Sequence, residues 1–243
     1  MTGTRDSETL RLEIWRGAAE GEFRTYRIPM REEETVLDAV SEVQRTTDST
    51  LAYRFACRVG MCGSCAMMVN DRPRWTCRTR VGVVARGGRI RLAPLRHLPV
   101  VKDLVVDMAP FFAKWQQALG RFSPGVEPAA DFALVPPASP ERRAADAGIE
   151  CIGCGVCYAA CDVVGWDPDY LGPAALNRAW TLVNDVRDQA QRERLAAVGG
   201  AGGCASCHTH MACTETCPKA IAPTYAIAGL KRRVMQAALG SAR

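Results

Sequence analysis

Cys57, Cys62, Cys65 and Cys77 read C-x4-C-x2-C with a fourth cysteine after a short excursion, the plant-type spacing with which one loop wraps a [2Fe-2S] cluster. Cys151, Cys154, Cys157 and Cys161 read C-x2-C-x2-C-x3-C, a run made for cubane clusters whose fourth cysteine serves a second cluster. Cys207, Cys213 and Cys217, followed by Pro218, would repeat that run if position 210 were cysteine, but it is His210. A cuboidal site with three thiolates has no anchor for a fourth iron. The expected occupant there is a [3Fe-4S] cluster.

Sulfide-bridged iron is soft and takes thiolate in preference to carboxylate or imidazole, which is why each position calls for cysteine. The loops must curl closely around the cluster and aim amides at sulfur. Gly60 and Gly63 in the first group, and Gly153 and Gly155 in the second, permit that curl, and the amide hydrogen bonds should raise the cluster potential. Pro218 ends the third run and fixes the chain direction. Zinc is the competing occupant, because Cys62/Cys65, Cys151/Cys154 and Cys204/Cys207 are each C-x2-C pairs. Zinc needs two such pairs per ion, whereas every cysteine except Cys204 falls into the three iron-sulfur patterns. Cys204 reads as a buried free thiol, with a register through Cys204, Cys207 and Cys213 as the alternative. At His210 a plain vacancy competes with imidazole ligation of a fourth iron, as in Rieske centres.

The elements that must position these cysteines change character along the chain. Leu10–Trp15 and Phe23–Ile28 alternate apolar and polar residues around a turn at Gly17–Gly21, which predicts a hairpin. Thr35–Val43 places Val36, Leu37, Val40 and Val43 on one helical face suited to crossing that hairpin. Further strands are expected at Ala66–Val69 and Arg89–Leu92, giving the order of a ferredoxin-like β-grasp. Val100–Leu119 has helical spacing, and Phe122–Pro140, rich in Pro, Ala and Ser, reads as a linker. Helices are expected at Arg142–Glu150, Pro173–Ala190 and Pro223–Leu239. The fold class is therefore α+β: a plant-type ferredoxin-like β-grasp domain over 1–108, a connecting helix and linker over 109–140, and an α-helical bacterial-ferredoxin-like domain over 141–243.

Composition excludes several alternatives. With 48% hydrophobic and 23% charged residues the chain has an ordinary globular balance, which argues against disorder. The net charge of +5 is thinly spread and accompanies no nucleic-acid motif, so no nucleic-acid partner is expected. The segment Leu98–Ala113 is interrupted by Lys102, Asp103 and Asp107, so it does not read as a membrane span. Met1–Leu10 lacks an apolar core for a secretory signal, and the chain is expected to stay in the cytoplasm, where closely spaced cysteines are metal ligands rather than disulfides.

With these residues assembled, the chain resembles the iron-sulfur subunit of succinate dehydrogenase and fumarate reductase. Besides the cysteines the resemblance rests on Leu37-Asp38-Ala39, Phe55–Gly63, Lys102–Asp107, Leu171–Ala175, Asp185–Asp188 and Cys217-Pro218-Lys219, and spans nearly the whole chain. It implies a partner flavoprotein subunit that interconverts succinate and fumarate at its FAD, while this chain relays electrons. It implies that Cys57, Cys62, Cys65 and Cys77 hold [2Fe-2S], that Cys151, Cys154, Cys157 and Cys217 hold [4Fe-4S], and that Cys161, Cys207 and Cys213 hold [3Fe-4S]. It also implies a membrane anchor subunit, a peripheral place on the inner face of the cytoplasmic membrane, and a quinone site to which Trp166 and His208 contribute. An interface or core aromatic and a structural histidine are the ordinary readings of those two residues.

At one position the chain departs from the pattern. The family usually has proline straight after the fourth cysteine of the second run, and this sequence has Asp162, then Val163. A carboxylate beside the cluster lowers its potential and opens a second reading, a relay for a soluble flavoprotein that reduces fumarate or a related dicarboxylate. A zinc-stabilised interaction module without redox activity is the alternative from another class.

Overall fold

The computed structural model describes residues 9–125, 131 and 134–240. The polar start of the chain before Thr9 and most of the expected linker's middle lie outside the described residues. The chain divides into two compact units: the residues up to 108 together with Cys154–Ala159, and 109–153 together with the residues from Ala160 onward.

In the first unit, β1 (Thr9–Gly17) and β2 (Gly21–Pro29) pair antiparallel from Thr9↔Pro29 to Gly17↔Gly21, as the alternation predicts. Leu10, Leu12 and Ile14 are buried on one face, with Tyr26 and Ile28 beside them. Helix α1 (Val36–Thr46) begins at a capping box: the Thr35 hydroxyl accepts from the Asp38 amide at 3.2 Å, and the Asp38 carboxylate accepts from the Thr35 amide at 3.2 Å. Its buried stripe includes Val36, Leu37, Val40 and Val43, and Val36, Val40 and Val43 join the core that Leu12, Ile14, Ile90 and Leu92 line from the sheet. β3 (Ala66–Val69), β4 (Arg72–Trp75), the single turn α2 (Val81–Val84) and β5 (Arg89–Ala93) follow. The sheet order is β2-β1-β5-β3-β4, with β1 and β5 parallel.

Sequence pattern does not find β4, a four-residue strand containing Pro73. It stands at the sheet edge, where a missing amide is tolerated. Asn70 and Asp71, both at positive φ, make its tight connection to β3.

The helix expected over Val100–Leu119 is a correction. Residues Val100–Lys102 (β6) and Val105–Val106 (β7) form a small antiparallel ribbon instead, and helix α3 runs only over Ala109–Gln117. The cause is Asp103, which turns the chain at φ 52°. Its buried carboxylate accepts from the amides of Gly17 and Ala52, each at 2.8 Å, and pairs with Arg16. Those tertiary bonds outweigh a local helical period that several apolar residues satisfy by chance.

In the second unit, α4 (Pro140–Ile149) starts at Ser139, whose hydroxyl accepts from the Arg142 amide at 3.1 Å, with Pro140 in the first turn. The short helix α5 (Val156–Ala159) groups with the first unit. After α6 (Asp162–Trp166) come α7 (Gly172–Val183), α8 (Gln191–Gly199), α9 (Ala212–Glu215) and α10 (Pro223–Ala238). Buried along most of its length, α7 is the core of this unit, packed by α3, α4, α8 and α10. A Cβ on Gly229 of α10 would stand 2.5 Å from the Trp180 ring, so glycine permits the close approach of α7 and α10.

Helix α7 stops at Val183, short of the expected Ala190. Asp185 and Asp188 each fold back on the backbone, accepting from the amides of Arg187 at 3.1 Å and Ala190 at 2.9 Å, which competes with helical bonding. Asp188 also accepts from Ser123 N at 3.0 Å. Among the described residues no helix is long and apolar enough to cross a membrane.

Candidate functional site

All twelve cysteines are free thiols. In the first unit the loop after Leu51 carries Cys57 and Cys62, Cys65 stands just before β3, and Cys77 lies in a 3-10 turn over Thr76–Arg78 just after β4. The loop and the β3-β4 hairpin therefore bring the four together. Cys57 Sγ accepts from the amides of Met61 at 3.2 Å and Cys62 at 3.3 Å, and Cys62 Sγ from the Cys57 amide at 3.5 Å. Thr76 Oγ1 donates to Cys65 O at 2.8 Å, clamping the turn that carries Cys77 to the strand that follows Cys65.

The electrostatics follow from this wrapping. The Cys57 amide, and the Ser64 hydroxyl after it, draw the Cys62 thiol down to about 6. Burial, and then the Cys65 sulfur beside it, push the Cys77 thiol up to about 11, while the Gly60 amide opposes that rise. Gly60 has φ +76°, and a Cβ there would meet the Trp75 ring at 2.9 Å, so both the backbone sign and the space demand glycine. Phe55, Val59 and Met61 are exposed around this loop. Phe55 stacks on Tyr53 with centroids 5.4 Å apart, and the Arg58 guanidinium lies 4.7 Å above the Phe55 ring.

In the second unit, Cys151 follows α4 and Cys217 follows α9, and their sulfurs are close enough to act on one another electrostatically. Burial raises the Cys151 thiol, and the Gly153 amide opposes that rise. Cys154 and Cys157 lie in the loop and first turn of α5, with the first unit.

Cys161 is the N-cap residue of α6, where the nearby amides of Val164 and Val163 oppose the rise that burial gives its thiol. Cys207 follows a 3-10 turn over Cys204–Ser206, and Cys213 lies on α9. These three thiols gather around Tyr170, which is 1% exposed and bonds Cys207 through its hydroxyl. Burial first and the three cysteines next push that phenol far above its usual range. Burial also raises the thiols of Cys161 and Cys213. Lys231 of α10 donates to Cys207 O at 2.8 Å, and Thr224 lies 3.4 Å from Cys213 Sγ.

Sequence pattern does not point to Tyr170 or Lys231. A tyrosine beside Leu171-Gly172-Pro173 and a lysine on an amphipathic helix carry no cysteine-like spacing to point at them.

Trp166 ends α6 at 67% exposure, and His208 is exposed one residue beyond Cys207. The two are linked by His210, whose ring meets Trp166 edge-on at 5.9 Å and lies 6.1 Å from His208. Thr209 and Met211, on either side of His210, both have positive φ, an arrangement that strains a β-branched residue. Asp162 is the exposed first residue of α6, a place where an acidic residue suits the helix as well as proline does.

The residues fit iron-sulfur clusters. Convergent free thiols with backbone amides donating to sulfur are the donor set such clusters take. Among the described residues no group of three or more His, Cys, Asp or Glu side chains is arranged to hold a metal ion; a cluster, by contrast, spreads its thiolates over separate irons.

Comparison with known proteins agrees with this chemistry. Residues 10–113 match a 2Fe-2S iron-sulfur cluster binding domain and residues 148–221 a 4Fe-4S dicluster domain. A fumarate reductase iron-sulfur subunit of Haemophilus influenzae is 34% identical over 86% of this chain and 84% of its own length. The corresponding fumarate reductase subunit of Mycobacterium tuberculosis is 35% identical over 84% and 83% of the two chains. A succinate dehydrogenase iron-sulfur subunit of Paracoccus denitrificans is 36% identical over 82% and 76%. Among solved structures, a chain of the Mycobacterium smegmatis Sdh1 complex in the apo form superposes with a TM-score of 0.84 at 29% identity, covering 96% of this chain and 98% of that one.

Proposed function

The chain belongs to the iron-sulfur subunits of the succinate dehydrogenases and fumarate reductases, and from that premise we propose that it passes electrons between the FAD of a partner flavoprotein subunit and a quinone. We assign [2Fe-2S] to Cys57, Cys62, Cys65 and Cys77, [4Fe-4S] to Cys151, Cys154, Cys157 and Cys217, and [3Fe-4S] to Cys161, Cys207 and Cys213. When bound, these clusters supply single-electron steps, which let a two-electron flavin exchange with an acceptor that reacts in two stages. The protein's own part is to hold the thiolates, donate amides to them and exclude water.

The observation that carries this reading is the gathering of Cys161, Cys207 and Cys213 around buried Tyr170, with exposed Trp166 and His208 on the same α6 and Cys207 segments. A three-thiolate site beside an exposed aromatic and imidazole suits a terminal donor to a bound quinone, and supports a position of this subunit beside a membrane anchor subunit. In this reading the β-grasp domain spans 1–108, the connection 109–140 and the helical domain 141–243.

The test is electron paramagnetic resonance and iron analysis of the purified complex, with quinone-linked succinate oxidation measured in parallel. About nine iron atoms per chain, a three-iron signal in the oxidised state and loss of quinone reduction in Trp166→Ala are expected. Stoichiometric zinc with little iron would refute the reading. Asp162 favours a second reading, a soluble flavoprotein fumarate reductase relay. Activity with a soluble donor but none with quinol, in a complex absent from membranes, would select it.

A further inference from the structure

The outer face of the β-grasp sheet carries a line of arginines that the cluster chemistry does not use. Arg27 pairs in register with Arg11 across β2 and β1, and Arg11 with Arg89 across β1 and β5. Arg89 in turn faces Arg86 across a tight Gly87-Gly88 turn whose residues have φ of 55° and 69°. Four arginines therefore stand in three successive direct pairings, and all four are exposed. Like charges placed directly opposite destabilise a sheet, so the fold alone does not call for this row.

The compensating charge is sparse. Arg89 lies 3.4 Å from Glu13, and Arg91, 3.9 Å from Asp71, also lies over the Phe23 ring at 3.9 Å. Among the described residues no carboxylate pairs with Arg11, Arg27 or Arg86. A concave patch lined by Glu13, Phe23, Asn70, Asp71, Arg86 and Arg91 continues the row, and Trp15 packs edge-on against Phe23 at 5.3 Å beyond it.

We propose that this face is a docking surface for an acidic polypeptide segment. Adjacent strands are about 4.8 Å apart and alternate residues along a strand about 6.7 Å, so the guanidiniums form a grid that carboxylates on one side of an extended or helical segment can meet in pairs. Glu13 and Asp71 break the positive field, and Trp15 with Phe23 adds an apolar end. A patterned protein surface accommodates both features, whereas a dense phosphate array meets two repelling carboxylates. This docking function is separate from the electron relay and survives any reassignment of the clusters.

The experiment takes the intact complex and measures binding of a fluorescein-labelled peptide of alternating Glu and Ser. Phosphatidylglycerol vesicles and a single-stranded oligothymidylate serve as competitors of other chemistry. The peptide is expected to bind with an affinity that falls as salt rises, and to weaken about tenfold in the Arg11→Gln, Arg27→Gln double variant. That variant should melt no lower than the parent, because a repulsive pairing has been removed. Glu13→Gln, a separate variant, should tighten binding. Absence of peptide binding at low salt, indifference to the arginine and Glu13 changes, or tighter binding to vesicles or oligothymidylate would each overturn the proposal.

Discussion

Asp188 and Arg194 form a two-pronged ion pair with both side chains wholly buried, at 2.7 Å between Nη1 and Oδ1 and 3.1 Å between Nη2 and Oδ2. Two further guanidinium donors reach Leu119 O at 2.9 Å and Arg121 O at 3.0 Å, so the pair ties the end of α3 to α8. Removing one partner leaves a buried charge without compensation. Asp188→Ala should therefore lower the stability of the helical unit by about 3–5 kcal/mol, read as an earlier thermal transition. Asp188→Leu with Arg194→Met should recover most of it, because the cost lies in the orphaned charge rather than in the lost attraction.

Two glycines with the same sign of φ separate backbone strain from crowding. Gly60 has φ +76° and a Cβ would press on Trp75 at 2.9 Å and Arg78 at 3.0 Å. Gly87 has φ +55° and a Cβ there meets nothing within 4 Å. Gly87→Ala should cost about 1 kcal/mol from conformation alone. Gly60→Ala should cost about 2–4 kcal/mol and also displace the amide that donates to Cys77. Release of iron from the [2Fe-2S] site to a chelator should be faster in Gly60→Ala and unchanged in Gly87→Ala.

Asp48 gives the β-grasp unit a pH dependence whose sign is fixed by its bonds. Its carboxylate accepts from the Thr50 hydroxyl at 2.6 Å and from the Tyr26 hydroxyl at 2.8 Å, and it pairs with Arg16. The Thr50 bond first, and then Tyr26, hold it well below the usual carboxylate range. The folded form thus stays ionised where the unfolded chain takes up a proton, near pH 4. The stabilisation is complete above that value and is lost as the pH falls further. Urea denaturation of the wild type and Asp48→Asn should show a stability difference that is constant from pH 8 to pH 5 and shrinks towards pH 3.

What the sequence discloses follows the range of the forces involved. The hairpin, α1 and α10 rest on local alternation, a capping box and an N-terminal proline, all of which are written in neighbouring residues. The ribbon β6-β7 and the early end of α7 rest on Asp103, Asp185 and Asp188, and Asp103 and Asp188 find amide partners far away in the chain. No window of neighbouring residues contains those distant partners, although the bonds from Arg187 N to Asp185 and from Ala190 N to Asp188 are local. The cysteine groups are legible for the opposite reason, since a cluster's dimensions fix the spacing of the ligands that one loop supplies. Tyr170, held in place by burial among thiols from three segments, has no such signature.

Cys204 decides between two registers for the three-thiolate site. It is 2% exposed and stands three residues before Cys207, so Cys204, Cys207 and Cys213 could serve by spacing alone. Cys161, Cys207 and Cys213 all lie near Tyr170, and Cys161 near the other two, whereas the side chains that act on Cys204 are Lys231 first and then Cys207. Cys204 behaves as a small apolar side chain in the 3-10 turn that precedes Cys207. Cys204→Ala should therefore leave the iron content and the three-iron resonance intact, at a stability cost of about 1 kcal/mol. Cys207→Ser should abolish the three-iron resonance and lower the thermal transition of the helical unit, because metal binding energy there is also folding energy. The reverse outcome, a lost resonance in Cys204→Ala with retention in Cys207→Ser, would move the ligand set to the other register.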